Sequence, residues 1–331
     1  MSTRVFRTSL PWRPFARYFD VNDKILRTRF CGLDLKNPLG LSAGFDKDCR
    51  LTKGLATLGF GYLTCGTIMR YRREGNPQPR IIRYVEAEGL GNCLGLPSEG
   101  VEKVVERLSH REASSRPIFA SIGGFSLEEY VDNHRMVEPH VDAVELSLRC
   151  PNVYDKEMSF VEPPNLVRLL VRINGHRRKP LFVKIPSYHT ERERENRLQL
   201  IDACSRNRVD ALTLPGTRKI PEKRASMGFV NLTGRPVFQD TMRIVHDIYL
   251  ATGGRIPIKA SGGVFTSEDA LKMIKAGAST VDILTAMVYH GWSVVRTLNQ
   301  GLVKLLREQG YHSIAEARGT LQSISLKQVG T

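Results

Sequence analysis

Several short segments of this chain of 331 residues place reactive side chains where an apolar run ends. Cys150 follows Arg149 and precedes Pro151, just past the run Val141–Ser147. A neighbouring guanidinium favours a thiolate, which makes Cys150 a candidate general base; the plainer reading is a small buried hydrophobe. Lys184 lies between Val183 and Ile185 inside another apolar run. A lysine turned inward there needs a negative charge beside it, because an unpaired buried ammonium is costly; the alternative is a side chain that reaches out to solvent. Gly262-Gly263, followed by Thr266 and a stretch with helical spacing, offers backbone N–H groups of the kind that hold a phosphate, or else a plain turn. Gly44-Phe45-Asp46-Lys47-Asp48 and Leu284-Thr285 end two further runs.

The elements that position these residues can be read from apolar patterning. Eight runs have strand character: Leu39–Ala43, Phe60–Gly66, Pro117–Ile122, Val141–Ser147, Leu181–Ile185, Val209–Leu214, Ile256–Ser261 and Thr280–Leu284. Helical spacing occupies Cys49–Leu58, Ser98–His110, Ser126–Val137, Pro164–Asn174, Glu191–Asn207, Val237–Ala251, Ser267–Ala276 and Val288–Gln309. Ser126 with Glu129 and Thr266 with Asp269 have capping-box spacing, Ser98 with Glu102 marks another helix start, and Gly277 reads as a stop. Strict alternation of strand and helix predicts an α/β fold, a (β/α)8 TIM barrel, with a doubly wound sheet as the alternative. In such a barrel the active site forms at the C-terminal ends of the strands, where the segments named above fall.

Two insertions interrupt the pattern, Phe30–Asn37 before the first strand and Arg80–Asn92 after the second, the latter resembling a hairpin. The expected organisation is an N-terminal extension over 1–29 and one barrel domain over 30–331. The extension interleaves Arg4, Arg7, Arg13 and Arg17 with Phe6, Trp12, Phe15, Tyr18 and Phe19. Pro11 and Pro14 are expected to break a long amphipathic helix, which favours a cover over one end of the barrel above a membrane-surface element.

Composition narrows the class. Lys and Arg number 49 against 34 Asp and Glu, a formal charge of +15, with 41% hydrophobic and 25% charged residues, so the chain is globular and basic. The basic residues are spread along the chain, which fits a solvated surface, and no nucleic-acid partner is expected. No run approaches the roughly 20 apolar residues of a membrane span, and Met1–Arg13 lacks a secretory core, so a cytoplasmic location is predicted. The six cysteines include no C-x-x-C pair, which argues against a zinc or iron–sulfur centre.

Taken together, the motifs resemble those of the dihydroorotate dehydrogenase family. NPLGLSAGFDKD (Asn37–Asp48), GFGYLTCGT (Gly59–Thr67), EGNPQPR (Glu74–Arg80), NCLGLPS (Asn92–Ser98), ELSLRCPN (Glu145–Asn152), VKI (Val183–Ile185), LTGRP (Leu232–Pro236), SGGV (Ser261–Val264) and GYHSIAEARG (Gly310–Gly319) occur in the family's order, over about Phe30 to Gly319. The resemblance implies an FMN-dependent oxidation of dihydroorotate or a related dihydropyrimidine in pyrimidine biosynthesis, with proton removal by Cys150 and hydride transfer to flavin. It implies that Lys184 stabilises the reduced ring, that Ala43, Gly44 and Thr67 line the flavin, and that Gly262, Gly263, Leu284 and Thr285 hold its phosphate. Lys47, Asn92, Gly95, Leu96, Ser147 and Asn152 are the implied substrate contacts, no metal is implied, and a homodimer is expected. The family's classes are mixed here: AGFDKD and PRIIRYVEAEGL resemble the membrane-linked class, Cys150 and Gly95-Leu96-Pro97 the soluble one. Ser98, Ser147 and Gly216 stand where the family usually has asparagines, and Arg149 where it has a small residue, facing either a carboxylate or solvent. The electron acceptor stays open among quinone, fumarate, oxygen and a partner protein. A flavin-dependent tRNA dihydrouridine synthase is the alternative enzyme, and an FMN-binding member of altered or lost activity the alternative role.

Overall fold

The computed structural model describes residues 12–110, 116–148 and 160–321. Helix α1 (Trp12–Phe19) leads into the hairpin β1 (Thr28–Phe30) and β2 (Leu33–Leu35). Then follow β3 (Leu39–Leu41), β4 (Tyr62–Ile68), β5 (Ile81–Tyr84), β6 (Gly89–Asn92), β7 (Ile118–Ile122), β8 (Ala143–Ser147), β9 (Leu181–Lys184), β10 (Ala211–Pro215), β11 (Arg218–Pro221), β12 (Phe229–Gly234), β13 (Ile258–Ser261) and β14 (Thr280–Ile283). Strands β3, β4, β7, β8, β9, β10, β13 and β14 pair in parallel in that order, and β14 returns to β3 to close a barrel. This is the predicted (β/α)8 fold, and the eight barrel strands match the eight predicted runs. Both faces of each strand are covered, by the barrel interior and by the outer helices, so the runs are apolar throughout without alternating.

The N-terminal mouth is plugged. Phe30 and Leu35 of the hairpin pack against Tyr62, Phe119, Ala143, Phe182 and Ala211 at the strand starts. The Tyr62 and Phe119 rings stack at 4.7 Å, and Phe30 lies 5.2 Å from Phe182. Burying each such ring stabilises the fold by about 1.5–3 kcal/mol. Helix α1 covers this same end: Phe19 packs on the core, its carbonyl lies against Gly59 just before β4, and Asp20 pairs with buried Arg116 at 2.5 Å. The cover expected of the extension is therefore found for its described part. Pro14 does not break α1, because it stands in the first turn, where N–H groups have no intrahelical partner to lose.

Four expectations are corrected. The helix expected over Cys49–Leu58 is a single turn, α2 (Thr52–Leu55), because Asp46 accepts the N–H groups of Arg50 and Leu51 and holds the preceding segment as a loop. The helix expected from Ser98, α3 (Val101–Ser109), begins after Gly100, since the Ser98 hydroxyl accepts from Met69 and Gly100 rather than from a helical turn. After α4 (Leu127–Val137), α5 (Pro163–Asn174), α6 (Glu191–Arg206), α7 (Phe238–Ala251) and α8 (Ser267–Lys275), the last predicted helix is two, α9 (Thr285–His290) and α10 (Val294–Glu308), separated at Gly291 with φ +79°. The predicted hairpin β5–β6 exists, but β11 and β12, unforeseen, extend it to a four-stranded sheet over the C-terminal mouth side of the barrel. The capping predictions for Ser126 and Thr266 hold, the latter as a full capping box with Asp269.

Candidate active site

With one mouth plugged by aromatic rings, the barrel opens at the other into a cavity of about 590 Å³. Volumes of this order accommodate cofactor-sized molecules. The wall is built from strand ends and the segments that follow them: Ser42 to Phe45 after β3, Thr67 in β4, Ser147 ending β8, Lys184 ending β9, Gly216 and Thr217 after β10, Ser261 to Phe265 at β13, and Leu284 to Ala286 after β14. The four-stranded sheet supplies Ile81, Asn92, Asn231 and Thr233 as a side wall. Ser42, just after β3, and Ser261, which ends β13, join hydroxyls at 3.0 Å across the floor.

Below that floor lies a layer of buried charge. Lys259 Nζ, on a side chain 1% exposed, is 2.5 Å from Asp282 Oδ2 and 3.0 Å from Glu145 Oε2. Thr213 donates to Glu145 at 2.7 Å, and the Tyr62 hydroxyl donates to Asp282 at 2.7 Å. Burial by itself would raise the Glu145 carboxyl; the Lys259 and Lys184 ammoniums and the Thr213 hydroxyl outweigh it and hold its pKa down at about 2. Burial likewise opposes the charged form of Lys259, yet its two carboxylates raise its pKa above the ordinary lysine value. Burial and then Asp282 push the Tyr62 phenol well above its usual range, so it stays a donor.

Comparison with known proteins decides the lineage. A sequence profile described as "Dihydroorotate dehydrogenase" matches residues 25–306. The chain belongs to the dihydroorotate dehydrogenase family. A relative from a Roseiflexus species named "Dihydroorotate dehydrogenase (quinone)" is 32% identical over 316 residues, covering 90% of this chain and 86% of the relative. One of the same name from Thermus thermophilus is 32% identical over 319 residues, covering 92% and 90%. The ligand-free DHODH structure from Eimeria tenella superposes with a TM-score of 0.82 at 26% identity, covering 96% of this chain and 99% of that one. These matches decide between the two flavoenzyme readings in favour of the dihydroorotate dehydrogenase family.

Most residues expected from the family resemblance meet in the one cavity. Ala43, Gly44, Lys47, Thr67, Asn92, Leu96, Ser147, Lys184, Gly262, Gly263, Leu284 and Thr285 all line it. Cys150 and Asn152, with Arg149, lie outside the described residues. Gly95 is not on the wall, although Leu94 and Leu96 are. It turns the chain with φ +71°, and a Cβ there would come 2.4 Å from Asn76 Oδ1. Ser98 is also turned away: it is 5% exposed and its hydroxyl accepts from Met69 and Gly100, both at 3.2 Å. At Gly216 no side chain fits, because a Cβ would lie 1.6 Å from Thr241 Oγ1, itself fixed on the Val237 carbonyl at 2.8 Å. Of the three substituted asparagine positions, Ser147 alone presents a side chain to the cavity.

The family's cofactor is a phosphate-bearing flavin, and the residues present fit one. Gly262 and Gly263 have φ of +137° and +83°, and a Cβ on Gly263 would meet Phe238 Cα at 2.4 Å, so this cradle tolerates backbone only. Among the described residues, the Gly262, Gly263 and Val264 amides donate no hydrogen bond. Unmet N–H groups in a glycine cradle suit an anion. Lys184, half-buried on the wall, supplies a cation to the same space.

Sequence reading missed the charge layer, together with Asn231, Thr217 and Lys219 on the wall. A signal for the first existed: Glu145, Lys259 and Asp282 each interrupt a predicted apolar strand, as Lys184 does. Among the described residues no helix is long and apolar enough to cross a membrane.

Proposed function

We propose that this chain binds FMN in the cavity and oxidises dihydroorotate to orotate, with the site roles that follow. The supporting observation is the convergence, in one space at the open mouth, of a backbone-only anion cradle and the Lys184 ammonium. Bound FMN supplies the acceptor for a hydride. Gly262, Gly263, Leu284 and Thr285 hold its phosphate through backbone N–H groups, while Ala43, Gly44 and Thr67 line the ring. Lys184 keeps a positive charge at the electron-rich ring edge, where a preorganised cation in a water-poor site is most effective. Cys150, three positions past the end of β8, removes a proton from the substrate carbon. Lys47 answers the substrate carboxylate; Asn92, Ser147 and Asn152 hydrogen-bond the ring, Leu96 excludes water, and Gly95 shapes the turn that presents Leu96.

The relatives' names specify a quinone, and the same acceptor class is proposed here. The protein is then a cytosolic homodimer that meets a membrane surface when it is reoxidised.

The purified protein should be yellow and release FMN on denaturation, and dihydroorotate added without oxygen should bleach it. Cys150→Ala should keep the colour and slow bleaching by about 10²–10⁴-fold. A colourless protein that FMN does not reconstitute, or a yellow one that dihydroorotate leaves unbleached, overturns the proposal.

A further inference from the structure

We propose that Lys259, Glu145 and Asp282 form an electrostatic floor beneath the cavity, in which Glu145 is the positioning residue for Lys184 and Lys259 sets how strongly Glu145 pulls. Glu145 and Ser147 point to the barrel interior from β8, and Ser147 is in register with Lys184 of β9, so Glu145 and Lys184 form a diagonal pair on the inner surface. Glu145 Oε2 takes both the Lys259 ammonium and the Thr213 hydroxyl. Its Oε1 is buried without a hydrogen-bond partner, and the Lys184 ammonium is among the charges that hold this carboxylate ionised.

Charge counting supports the assignment. The floor contains two carboxylates and one ammonium, which leaves one negative charge in excess, and after Lys259 the Lys184 ammonium on the wall above is the next cation that acts on Glu145. Glu145, Lys259 and Asp282 are 0%, 1% and 3% exposed, so water does not screen them and their field reaches the cavity. Asp282 itself borders the cavity. Stability does not explain such a network, because well-packed apolar residues often replace a buried ionic triad at no loss. Of the other charged or titratable groups on the wall, Lys47 and His189 come from loops, Glu193 and Arg197 from α6, and Lys219 from the four-stranded sheet.

The inference concerns Lys184 in the protein alone, so its first test needs no cofactor and stands apart from the FMN reading. Lysines are dimethylated with ¹³C-formaldehyde, the Lys184 signal is assigned by its absence in Lys184→Arg, and its chemical shift is read by NMR at pH 7. Glu145→Gln should displace the Lys184 signal, and Glu145→Gln/Lys259→Met, which restores the charge balance, should move it back toward the wild-type position. Lys259→Gln, read alone, should displace it in the opposite sense and serves if Glu145→Gln is not recovered folded. In protein loaded with FMN, Glu145→Gln should favour the reduced form about tenfold, a rise near 30 mV for a two-electron couple, and the double variant should reverse it. A merely structural role predicts that the double variant departs further than the single one. A Lys184 signal unmoved in Glu145→Gln, or a double variant further from wild type than the single, overturns the assignment. Signals that move as expected in a protein that takes up no FMN leave it standing and remove the FMN reading instead.

Discussion

Replacing Lys259 with methionine tests whether the barrel interior depends on a buried cation. The side chain is 1% exposed and holds two carboxylates at 2.5 and 3.0 Å. Methionine fills much of the volume, but Glu145 is left with the Thr213 hydroxyl and Asp282 with the Tyr62 hydroxyl. Removing one partner of a buried ion pair costs about 3–5 kcal/mol. The protein can limit that loss by protonating a carboxylate. From an ordinary glutamate value of 4.5, this costs about 3.4 kcal/mol at pH 7 and about 0.7 kcal/mol at pH 5. The deficit of Lys259→Met should therefore be about 3 kcal/mol at pH 7 and shrink by more than 2 kcal/mol on going to pH 5.

The sign follows from linkage. In the wild type the Glu145 pKa is depressed to about 2, so its contribution is present above 4.5 and lost only as pH falls toward 2. In Lys259→Met the same carboxyl is raised above its unfolded value, and stability falls as pH rises through 4.5 toward the new value. Urea unfolding of wild type, Lys259→Met and Lys259→Met/Glu145→Gln at pH 5, 6 and 7 measures this directly, and the double variant, which leaves Asp282 as the one carboxylate without Lys259, should recover part of the loss at pH 7. A deficit equal at pH 5 and pH 7, or below about 1 kcal/mol at pH 7, would refute the buried-charge account.

Three further outcomes are expected. Gly263→Ala forces a Cβ to within 2.4 Å of Phe238 Cα at φ +83°; it should destabilise the fold by about 2–4 kcal/mol in urea and weaken FMN binding, followed by flavin fluorescence, at least about tenfold. Lys184→Ala should retain FMN yet slow anaerobic bleaching by dihydroorotate about 10²–10³-fold in stopped flow, the usual loss for one preorganised electrostatic group. Burial holds the His134 imidazole down at about 4, against Glu138 near its Nε2, so the folded protein keeps it neutral. The unfolded chain takes up that proton first, so stability should fall as pH drops from 6.5 toward 4 by up to about 3 kcal/mol, and His134→Phe should flatten the decline in urea unfolding across that window.

The barrel was legible because its strands obey a simple rule. Each is covered on both faces, so each reads as an unbroken apolar run, and every predicted run meets its strand within two residues at either end. Strand β11 (Arg218–Pro221) breaks that rule: Arg218, Lys219 and Pro221 are exposed, and the pairing with β12 is set by backbone register rather than by an apolar face. Sequence periodicity has nothing to detect there. The helix errors have local causes, a carboxylate that collects backbone N–H groups before α2 and a glycine at φ +79° between α9 and α10. Neither interrupts the helical spacing of apolar residues, which is why spacing ran through both.

The site divides along a different line. Residues that act by position, such as Gly44, Gly262, Gly263 and Thr285, are legible once the strands are placed, because the chain order of a barrel fixes which segments meet at its mouth. Residues that act by pairing are not. Lys184 and Lys259 occur in similar apolar strands, yet one reaches the cavity wall and the other is sealed between two carboxylates. The difference lies in depth along the strand: Lys184 ends β9, whereas Lys259 is the second residue of β13. Depth decides the substrate positions too. Ser98 and Gly216 both follow motif order, but the first is spent on backbone amides and the second is walled off by Thr241, so neither can replace an asparagine. The described wall carries polar side chains at Ser147, Asn92, Lys47, Asn231 and Thr217, whereas Gly216 itself presents only backbone. A buried polar contact is strong only where its partner already stands at the right depth, and that is a property of the closed barrel that no single strand contains.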